Sequence, residues 1–225
     1  MARAIPLLAI LALLVGALPA RAESMVTEQT TLVARAVNAV EELRSQPNLQ
    51  KAITSRLIHA RAVLIVPNMY KGGFLVGGAY GVGILLTRDA RGGWSGPAFY
   101  SVTSASFGLQ AGLEDSSDIL VVMTESGLSA IMHNRLKLGV GAGVAVATIG
   151  AHAGAATTTN GGADIYAFAT SFGAYGGASL EGSVIEPKPA WNAAYYGGHP
   201  SPRQILIART VNNPQANALR DALAE

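Results

Sequence analysis

Cysteine is absent from the 225 residues of this chain. Its absence excludes disulfide bonds, thiol catalysis, cysteine metal ligands and a cysteine-linked lipid anchor. Charged residues are scarce at 13% and aromatic residues make up only 6%, whereas glycine contributes 26 residues. So little charge with so much glycine is typical of closely packed strands, and the length suits one domain with a sizeable core.

The first 22 residues have the pattern of a secretory signal peptide. Arg3 is an early cation, residues 5–18 form an apolar run, and Ala20-Arg21-Ala22 is a small-residue exit, so we expect cleavage before Glu23. An uncleaved anchor is the alternative, which the short apolar run disfavours. Cleavage removes two of the 16 Lys and Arg residues and none of the 14 Asp and Glu, leaving 14 of each. A neutral protein has no long-range attraction to nucleic acid, and we predict no nucleic-acid partner.

The chain is organised around the stretch from Ala62 to Asp89, in which side-chain character alternates with period two. Between Gly73 and Thr87 one face is bulky, while the other is largely glycine and alanine: Gly73, Leu75, Gly77, Ala79, Gly81, Gly83 and Leu85. Glycine inside a strand is unfavourable unless a bend, a bulge or a close neighbour requires it. We therefore expect tight packing against this face. A bend at Gly77-Gly78 or at Gly81 would make the segment a hairpin or one long coiled strand.

Two amphipathic helices are predicted before this ribbon. Apolar residues recur at intervals of three and four from Val26 to Leu43, with threonines near the start as possible N-caps and Pro47 as the stop. A second helix is predicted from about Pro47 to His59, with Lys51 and Arg56 off its apolar side. These cations indicate either a solvated face or a helix that lies in a membrane interface.

Further strands are predicted after the ribbon. A strand is predicted over 94–103, and side-chain bulk alternates from Phe99 to Leu113. Residues 115–118 are predicted to form an acidic turn and residues 119–123 a short buried strand. Thr124 is the expected N-cap of a helix that reaches about Asn134.

The remaining third of the chain is predicted to contain more strands and then a tail. Residues 138–163 contain no Asp, Glu, Lys or Arg, but their alternation and their many glycines favour strands over a transmembrane helix. Two strands follow over 164–182, and residues 186–196 form a cap with a short helix. The tail over 198–225 is interrupted by prolines and is expected to be a peripheral addition with a short helix over 214–224.

These elements predict an α+β fold. We expect one domain dominated by antiparallel, Gly-rich strands in a strongly curved sheet or barrel, with N-terminal helices packed against it. The expected segments are a signal peptide over 1–22, N-terminal helices over 23–60, a β-rich core over 61–197 and a C-terminal extension over 198–225.

The residues that enzymes use are not arranged in any catalytic pattern. The four histidines, His59, His133, His152 and His199, are widely separated and lack the spacing of metal ligands. No G-x-S-x-G elbow and no glycine-rich phosphate loop occurs in the sequence. We therefore predict no enzymatic activity, no catalytic residue, no metal and no cofactor, and we expect the histidines at surface or capping positions.

A series of short motifs, in order along the chain, resembles the SYLF lipid-binding domain family, which includes Ysc84-like proteins. The motifs extend over about 57–197 and are Ile65-Val66-Pro67-Asn68, Lys71-Gly72-Gly73-Phe74, Gly77-Gly78, Gly81-Val82-Gly83, Gly93-Trp94-Ser95-Gly96-Pro97-Ala98-Phe99, Ser106-Phe107-Gly108-Leu109-Gln110, Met123-Thr124, Lys137-Leu138-Gly139, Ala163-Asp164-Ile165, Gly177-Ala178-Ser179-Leu180-Glu181-Gly182 and Tyr195-Tyr196-Gly197. In eukaryotic members the resemblance implies phosphoinositide binding, and in some it implies actin binding and bundling. An exported bacterial member would meet no actin, so affinity for anionic phospholipid is what the resemblance implies here.

These observations predict a non-enzymatic phospholipid-binding protein of the bacterial cell envelope or periplasm, which is peripheral to the membrane and binds anionic headgroups at its surface. The alternative is a structural interaction module of the envelope that binds a protein partner or self-associates. The expected lipid-binding residues are Lys51, Arg56, Arg61, Tyr70 and Lys71. We expect Tyr70 and Lys71 at a loop tip beside an exposed Met69, because an aromatic ring next to a cation suits the headgroup region.

Overall fold

The computed structural model describes residues 17–74, 76–107, 112–133, 146–150, 163–172 and 183–224. The helices of this part are α1 (Ala17–Ser45), α2 (Pro47–Leu57), α3 (Glu125–Met132), α4 (Pro189–Tyr196), α5 (Pro202–Leu206) and α6 (Asn217–Ala224), with a 3₁₀ turn over Pro214–Ala216 before α6. Its strands are β1 (Ala62–Phe74), β2 (Val76–Thr87), β3 (Ala98–Phe107), β4 (Gly112–Val122), β5 (Val146–Gly150), β6 (Ile165–Phe172) and β7 (Val184–Pro187).

The strands form one sheet in the order β5-β6-β4-β1-β2-β3-β7, which confirms the α+β fold. Neighbouring strands are antiparallel except β5 and β6, which are parallel. Within the described strands β5 and β7 are edges, so this sheet is open and the barrel alternative is wrong for this part of the chain. The strong curvature stays a prediction.

Strands β1 and β2 form a hairpin that reverses between Phe74 and Val76. The predicted bend at Gly77-Gly78 or Gly81 is wrong, because these residues lie inside β2. The tight packing expected on the glycine face is confirmed at two positions. A Cβ at Gly81 would lie 2.6 Å from a methyl of Val66, and one at Gly83 would lie 3.0 Å from the carbonyl oxygen of Ile65. Both glycines are needed for close packing within the hairpin.

A β-bulge interrupts β1 at Pro67 and Asn68. Between Ile65 and Met69 the strand has one residue more than β2 opposite, and the register with β4 shifts at the same place. Proline has no N–H for a ladder, so in a central strand it is found at a bulge. The extra residue inverts the alternation beyond it. Met69 therefore belongs to the same buried cluster as Val66, and Tyr70 faces the opposite side.

Helices cover both faces of the sheet. One face packs against α1, α2, α4 and α6, and its strand residues are Val63, Ile65, Ile84, Leu86, Phe99, Ile119, Val121 and Phe168. The other face packs against α3 and α5, and its strand residues include Leu64, Val66, Leu85, Tyr100, Leu120 and Ile185. The core therefore has two layers with β1 in the middle of the sheet.

The first helix is longer than its apolar periodicity indicates. It begins at Ala17 and not near Val26, so the predicted threonine N-caps are wrong. Pro19 lies in the first turn, where a missing N–H costs nothing, and the residues that follow are compatible with a helix. Its end before Pro47, the span of α2 and the cap of α3 are confirmed. The Thr124 side chain accepts a hydrogen bond from the Gly127 N–H.

Strand β4 contains the segment that was predicted to be an acidic turn. Residues 115–118 pair with β6 on one side, and all of them except Ser117, opposite the bulge, pair with β1 on the other, so the turn prediction is wrong. Asp118 is only 2% exposed and accepts a hydrogen bond from the Ser116 hydroxyl. Pairing on both edges satisfies the backbone of this polar segment and explains why it is extended.

The C-terminal region is part of the core, so the prediction of a peripheral tail is wrong. Its apolar side chains are buried on both faces of the sheet, with Ile205 and Leu206 on the α3 side and Leu219 and Leu223 on the α1 side. The short helix predicted over 214–224 is confirmed. Helices this short display too few periodic positions to reveal their burial in the sequence.

The uncharged stretch over 138–163 is described only at 146–150, which form strand β5, and at Ala163. Outside the described residues lie residues 5–16 of the apolar run of the signal peptide, the turn expected over 157–162 and residues 173–182 of the later strands. In the part of the chain that the structure describes, no helix combines the length and the apolar character needed to cross a membrane.

Candidate functional site

The predicted lipid-binding cations Lys51 and Arg56 lie on α2. Lys51 is exposed, and Arg56 is half-buried. The guanidinium carbon of Arg56 lies 4.1 Å from the ring centre of Tyr166, and its Nη1 donates a hydrogen bond of 3.1 Å to the Ala52 carbonyl. Arg56 therefore stabilises the packing of α2 on the sheet through a cation–π contact, which leaves Lys51 as the freely exposed cation of this helix.

Arg61 and Lys71 lie at opposite ends of β1. Arg61 precedes the strand and its Nε is 3.5 Å from Glu125, with both side chains exposed. Lys71 is ten residues further on, which corresponds to roughly 30 Å of extended strand. The five predicted residues therefore do not form one patch. Their individual affinity for lipid stays a prediction.

Tyr70 and Lys71 are strand residues, so the predicted loop tip is also wrong. Tyr70 pairs with Tyr80 of β2, and Lys71 pairs with Ala79 on one side and Glu114 on the other. Met69 is only 2% exposed, which corrects its expected exposure. The bulge at Pro67 explains the difference, because it directs Met69 into the core and Tyr70 to the opposite side.

Tyr70 and Tyr80 form an exposed aromatic pair across two neighbouring strands. Their exposed fractions are 57% and 46%, whereas the preceding half of β1 is fully buried. Directly opposed residues of an antiparallel pair have Cβ atoms about 5 Å apart, so the two rings are neighbours on one face. Tyr70 was predicted as a site residue and Tyr80 was not. The alternation of the ribbon shows which face Tyr80 lies on, but it does not show that the helices leave that position exposed.

A groove of about 490 Å³ lies between this tyrosine pair, α1 and α4. Helix α1 contributes one stripe at intervals of three and four residues, and the complete lining is Glu28, Thr31, Leu32, Arg35, Asn68, Tyr70, Tyr80, Gly81, Val82 and Trp191. Arg35 Nη1 donates a hydrogen bond of 3.1 Å to the side-chain oxygen of Asn68 in the bulge. An aromatic and aliphatic lining with a few polar groups is typical of a ligand site.

A second groove of about 400 Å³ lies on the opposite face of the sheet, between α3 and the C-terminal region. Its lining includes Leu128, Met132 and His133 on the α3 side and Arg203 and Ile207 on the α5 side. Ile207 is 46% exposed. This groove offers an apolar contact surface remote from the tyrosine pair.

The buried tyrosine hydroxyls stay protonated at neutral pH. Burial raises the pKa of Tyr195 to about 12, although nearby Arg220 opposes the shift. Burial also raises the pKa values of Tyr100 and Tyr196. The Tyr196 hydroxyl donates a hydrogen bond of 2.9 Å to the Pro97 carbonyl. These groups remain neutral, and Tyr195 and Tyr196 position α4 against β3 through contacts with Phe99 and Pro97.

The described histidines are dispersed over the surface. His59, His133 and His199 are exposed as predicted, and His152 lies outside the described residues. His133 Nδ1 lies 2.8 Å from the Ser129 carbonyl, within its own helix. Among the described residues, no group of three or more acidic or histidine side chains is arranged to hold a metal ion.

Known proteins resemble this chain over most of its length. A family model described as "Ysc84: Las17-binding protein actin regulator" matches residues 103–225. Protein YSC84 of Saccharomyces cerevisiae is 28% identical over 159 residues, which cover 69% of this chain and 34% of the yeast protein. LAS seventeen-binding protein 3 from the same species is 28% identical over 159 residues, which cover 35% of that protein.

A human relative matches a longer part of the chain. SH3 domain-containing YSC84-like protein 1 of Homo sapiens is 26% identical over 191 residues, which cover 84% of this chain and 56% of the human protein. The chain spans between about a third and just over half of the length of these relatives. The family match begins in β3 and includes α5 and α6, the helices that close the core. By this match and by the ordered motifs along its strands, the chain belongs to the Ysc84, or SYLF, family.

Proposed function

We propose that the protein is a non-enzymatic phospholipid-binding module that attaches to anionic membrane surfaces through the Tyr70–Tyr80 pair. The observation that carries this proposal is the exposure of two neighbouring aromatic side chains at the end of the sheet that the helices leave uncovered. Tyrosine suits the headgroup region because its ring is apolar and its hydroxyl remains hydrated.

Positive charge beside the pair supports attachment to anionic lipid. Arg35 lines the adjacent groove, and Lys71, the next residue of β1, adds a charge at the same end of the sheet. A cation close to an anionic membrane contributes about 1 kcal/mol, so a protein without net charge can bind through a local cluster. Lys51 and Arg61 are exposed elsewhere and add to the attraction without forming part of the cluster.

Vesicle flotation tests the proposal directly. The protein is expected to float with vesicles that contain anionic phospholipid, much less with purely zwitterionic vesicles, and less as salt is raised, because salt screens the exposed charges. Replacing Arg35 and Lys71 together by glutamine should weaken binding by about thirtyfold, given about 1 kcal/mol for each charge. Arg203→Gln, an exposed cation in the groove beside α3 and far from the tyrosine pair, is the control. Equal flotation with all vesicles, or an equal loss in the control, would contradict the proposal.

The site of action that we propose is the cell envelope, after export and cleavage behind Ala22. The small residues of Ala20-Arg21-Ala22 support this assignment. Intact-mass measurement of protein extracted from the envelope should give a chain that begins at Glu23. A chain that retains Met1 would favour an uncleaved anchor.

A second candidate function is a protein-interaction module of the envelope. The groove between α3 and the C-terminal region favours it, because exposed Ile207 offers an apolar contact there. The family description also includes binding to a protein, Las17. Flotation separates the two functions, because only the lipid-binding module is expected to bind vesicles that contain no protein.

A further inference from the structure

We infer that the groove between α1 and the Tyr70–Tyr80 pair binds one zwitterionic headgroup that carries both a phosphate and an ammonium, as in phosphocholine or phosphoethanolamine. The inference deepens the proposed function, on which it rests for the expectation that the ligand belongs to a phospholipid. The proposed function needs only cations that attract any anionic membrane. The groove would in addition select one kind of headgroup by its shape and charge.

The groove carries one charge of each sign, and the two are not paired with each other. Glu28 and Arg35 lie seven residues apart on α1, which corresponds to about 10 Å along the helix axis. In the described part of the chain no ion pair involves either residue. A purely anionic ligand would meet the Glu28 carboxylate, and a purely cationic ligand would meet the Arg35 guanidinium. A zwitterion complements both charges.

The phosphate end of the site is formed by Arg35. One of its N–H groups is held by Asn68 at 3.1 Å, which orients the guanidinium across the groove. A guanidinium has five N–H donors in a planar fork that matches a phosphate, so most of them remain for a ligand. Thr31 lines the groove one turn earlier and offers a hydroxyl. Asn68 holds this position because the bulge at Pro67 places it there.

The ammonium end is formed by Glu28 and the aromatic rings. Tyr70, Tyr80 and Trp191 all line the groove, and the electron-rich faces of such rings attract ammonium groups. This wall already engages one ammonium, because Lys188 Nζ lies 5.0 Å from the ring centre of Trp191. With Trp191 occupied in this way, the two exposed tyrosines and the Glu28 carboxylate are left for the ammonium of a ligand.

The size of the groove agrees with a small polar ligand. Its volume of about 490 Å³ falls within the range of roughly 300 to 1,000 Å³ that is usual for small-molecule sites. Leu32 and Val82 provide aliphatic contact in the lining. The groove lies beside the tyrosine pair, so a headgroup held in it would stand next to the surface that contacts the membrane.

Titration of the protein with soluble phosphocholine, choline and inorganic phosphate tests the inference without a membrane. Trp191 lines the groove and is half-buried, so its fluorescence should change when a ligand binds. Trp191→Phe leaves only buried Trp94, so a signal that disappears in this variant comes from Trp191. Phosphocholine is expected to bind at least about tenfold more tightly than either fragment, because only it meets both charges. Equal affinity for choline and phosphocholine, or no saturable signal, would overturn the inference.

Glu28→Gln provides the sharper test. It should weaken phosphocholine binding by about tenfold without weakening the binding of inorganic phosphate, since the lost charge attracts the ammonium and repels an anion. Glu41→Gln is the matched control, an exposed glutamate on the same helix that does not line the groove. Phosphocholine binding that is unaffected by Glu28→Gln, or equally reduced by Glu41→Gln, would contradict the assignment.

Flotation and titration distinguish the failure of each idea. Flotation with anionic vesicles and no phosphocholine binding would overturn the headgroup site and leave the proposed function intact. Phosphocholine binding with no flotation would overturn the membrane function and indicate a soluble phosphocholine compound as the ligand. Both results together, with flotation of anionic vesicles enhanced when phosphatidylcholine is added at constant charge, would support both.

Discussion

The two halves of strand β1 have the same partners but different surroundings. From Ala62 to Val66 every residue is fully buried between helices on both faces of the sheet, whereas Tyr70 beyond the bulge is 57% exposed. Both halves are paired with β2 and β4. The backbone is therefore paired in both halves, and Met69 beyond the bulge is still buried on the α3 side. The difference lies on the other face, where α1 and α4 leave Tyr70 exposed. A sheet that extends beyond its helical cover can present side chains to a ligand from a rigid support.

The largest difference between the two halves is expected in stability. Ile65→Ala should lower the free energy of unfolding by about 2–5 kcal/mol, because Ile65 is fully buried and the lost atoms leave a cavity. Tyr70→Ser should change it by no more than about 0.5 kcal/mol, as is usual for an exposed position. Urea unfolding of the two variants measures this directly. Similar losses in both would show that the second half of the strand is also part of the core.

The glycines opposite the bulge are expected to have the next largest effect. Gly83→Val should cost about 1–3 kcal/mol, because its side chain would overlap Val66, Leu64 and the Ile65 carbonyl. Gly198→Val is the matched control, since a Cβ there has no atom within 4 Å. An unchanged urea midpoint for Gly83→Val would remove the packing argument and assign the glycine another role.

A smaller effect, seen in binding only, is expected at the exposed half. Tyr70→Ser with Tyr80→Ser should weaken flotation with anionic vesicles by about tenfold or more, because burying part of a large apolar side chain is worth about 1.5 kcal/mol. Ile58→Ser removes a side chain of similar exposure, 53%, outside the groove and should have no effect on binding. A loss of binding in the control, or full binding by a folded double variant, would exclude the tyrosine pair as the contact.

The smallest effect is expected for the contacts of the Asp89 carboxylate with Gly93 and Arg209, which form a clamp after the buried end of β2. The Gly93 N–H donates a hydrogen bond to the Asp89 carboxylate, and Arg209 Nη1 lies 2.6 Å from Asp89 Oδ2. These contacts, that of Gly93 first, lower the pKa of Asp89 below the ordinary value of 3.8. A lowered folded-state pKa gives stability that is present above the unfolded pKa and is lost as pH falls through the folded value. Asp89→Asn should therefore reduce stability slightly at neutral pH and make it less sensitive to pH below about 4. If the free energy of unfolding of Asp89→Asn falls below pH 4 as steeply as that of the unchanged protein, the clamp contributes nothing to stability.

Several elements of the fold could be predicted because their signals are local. The period of the ribbon predicted β1 and β2, and glycine on one face predicted the close approach found at Gly81 and Gly83. Pro47 and Thr124 marked helix boundaries through the chemistry of caps and stops. Helix α5 and the burial of α6 were missed because each helix is too short to display a period.

The candidate site could be predicted only in part. Tyr70 was identified from its own sequence neighbourhood, and the family resemblance pointed to lipid. Glu28, Arg35, Tyr80 and Trp191 were missed, because they come from α1, β2 and α4, and none of these segments carries a local pattern that indicates a shared groove. Arg56 was predicted to bind lipid because it lies off the apolar side of its helix. In the structure its guanidinium carbon lies 4.1 Å from the ring centre of Tyr166.

The amino-acid sequence by itself determined the strand alternation, the helices before it, the family and the absence of cysteine chemistry, because each depends on neighbouring residues or on composition. Only the tertiary structure decided which half of β1 is buried, where the tail packs and which side chains meet in the groove. Burial is set by contacts between segments far apart in the chain. Here the single extra residue at Pro67 inverts the face that every later side chain of the strand occupies.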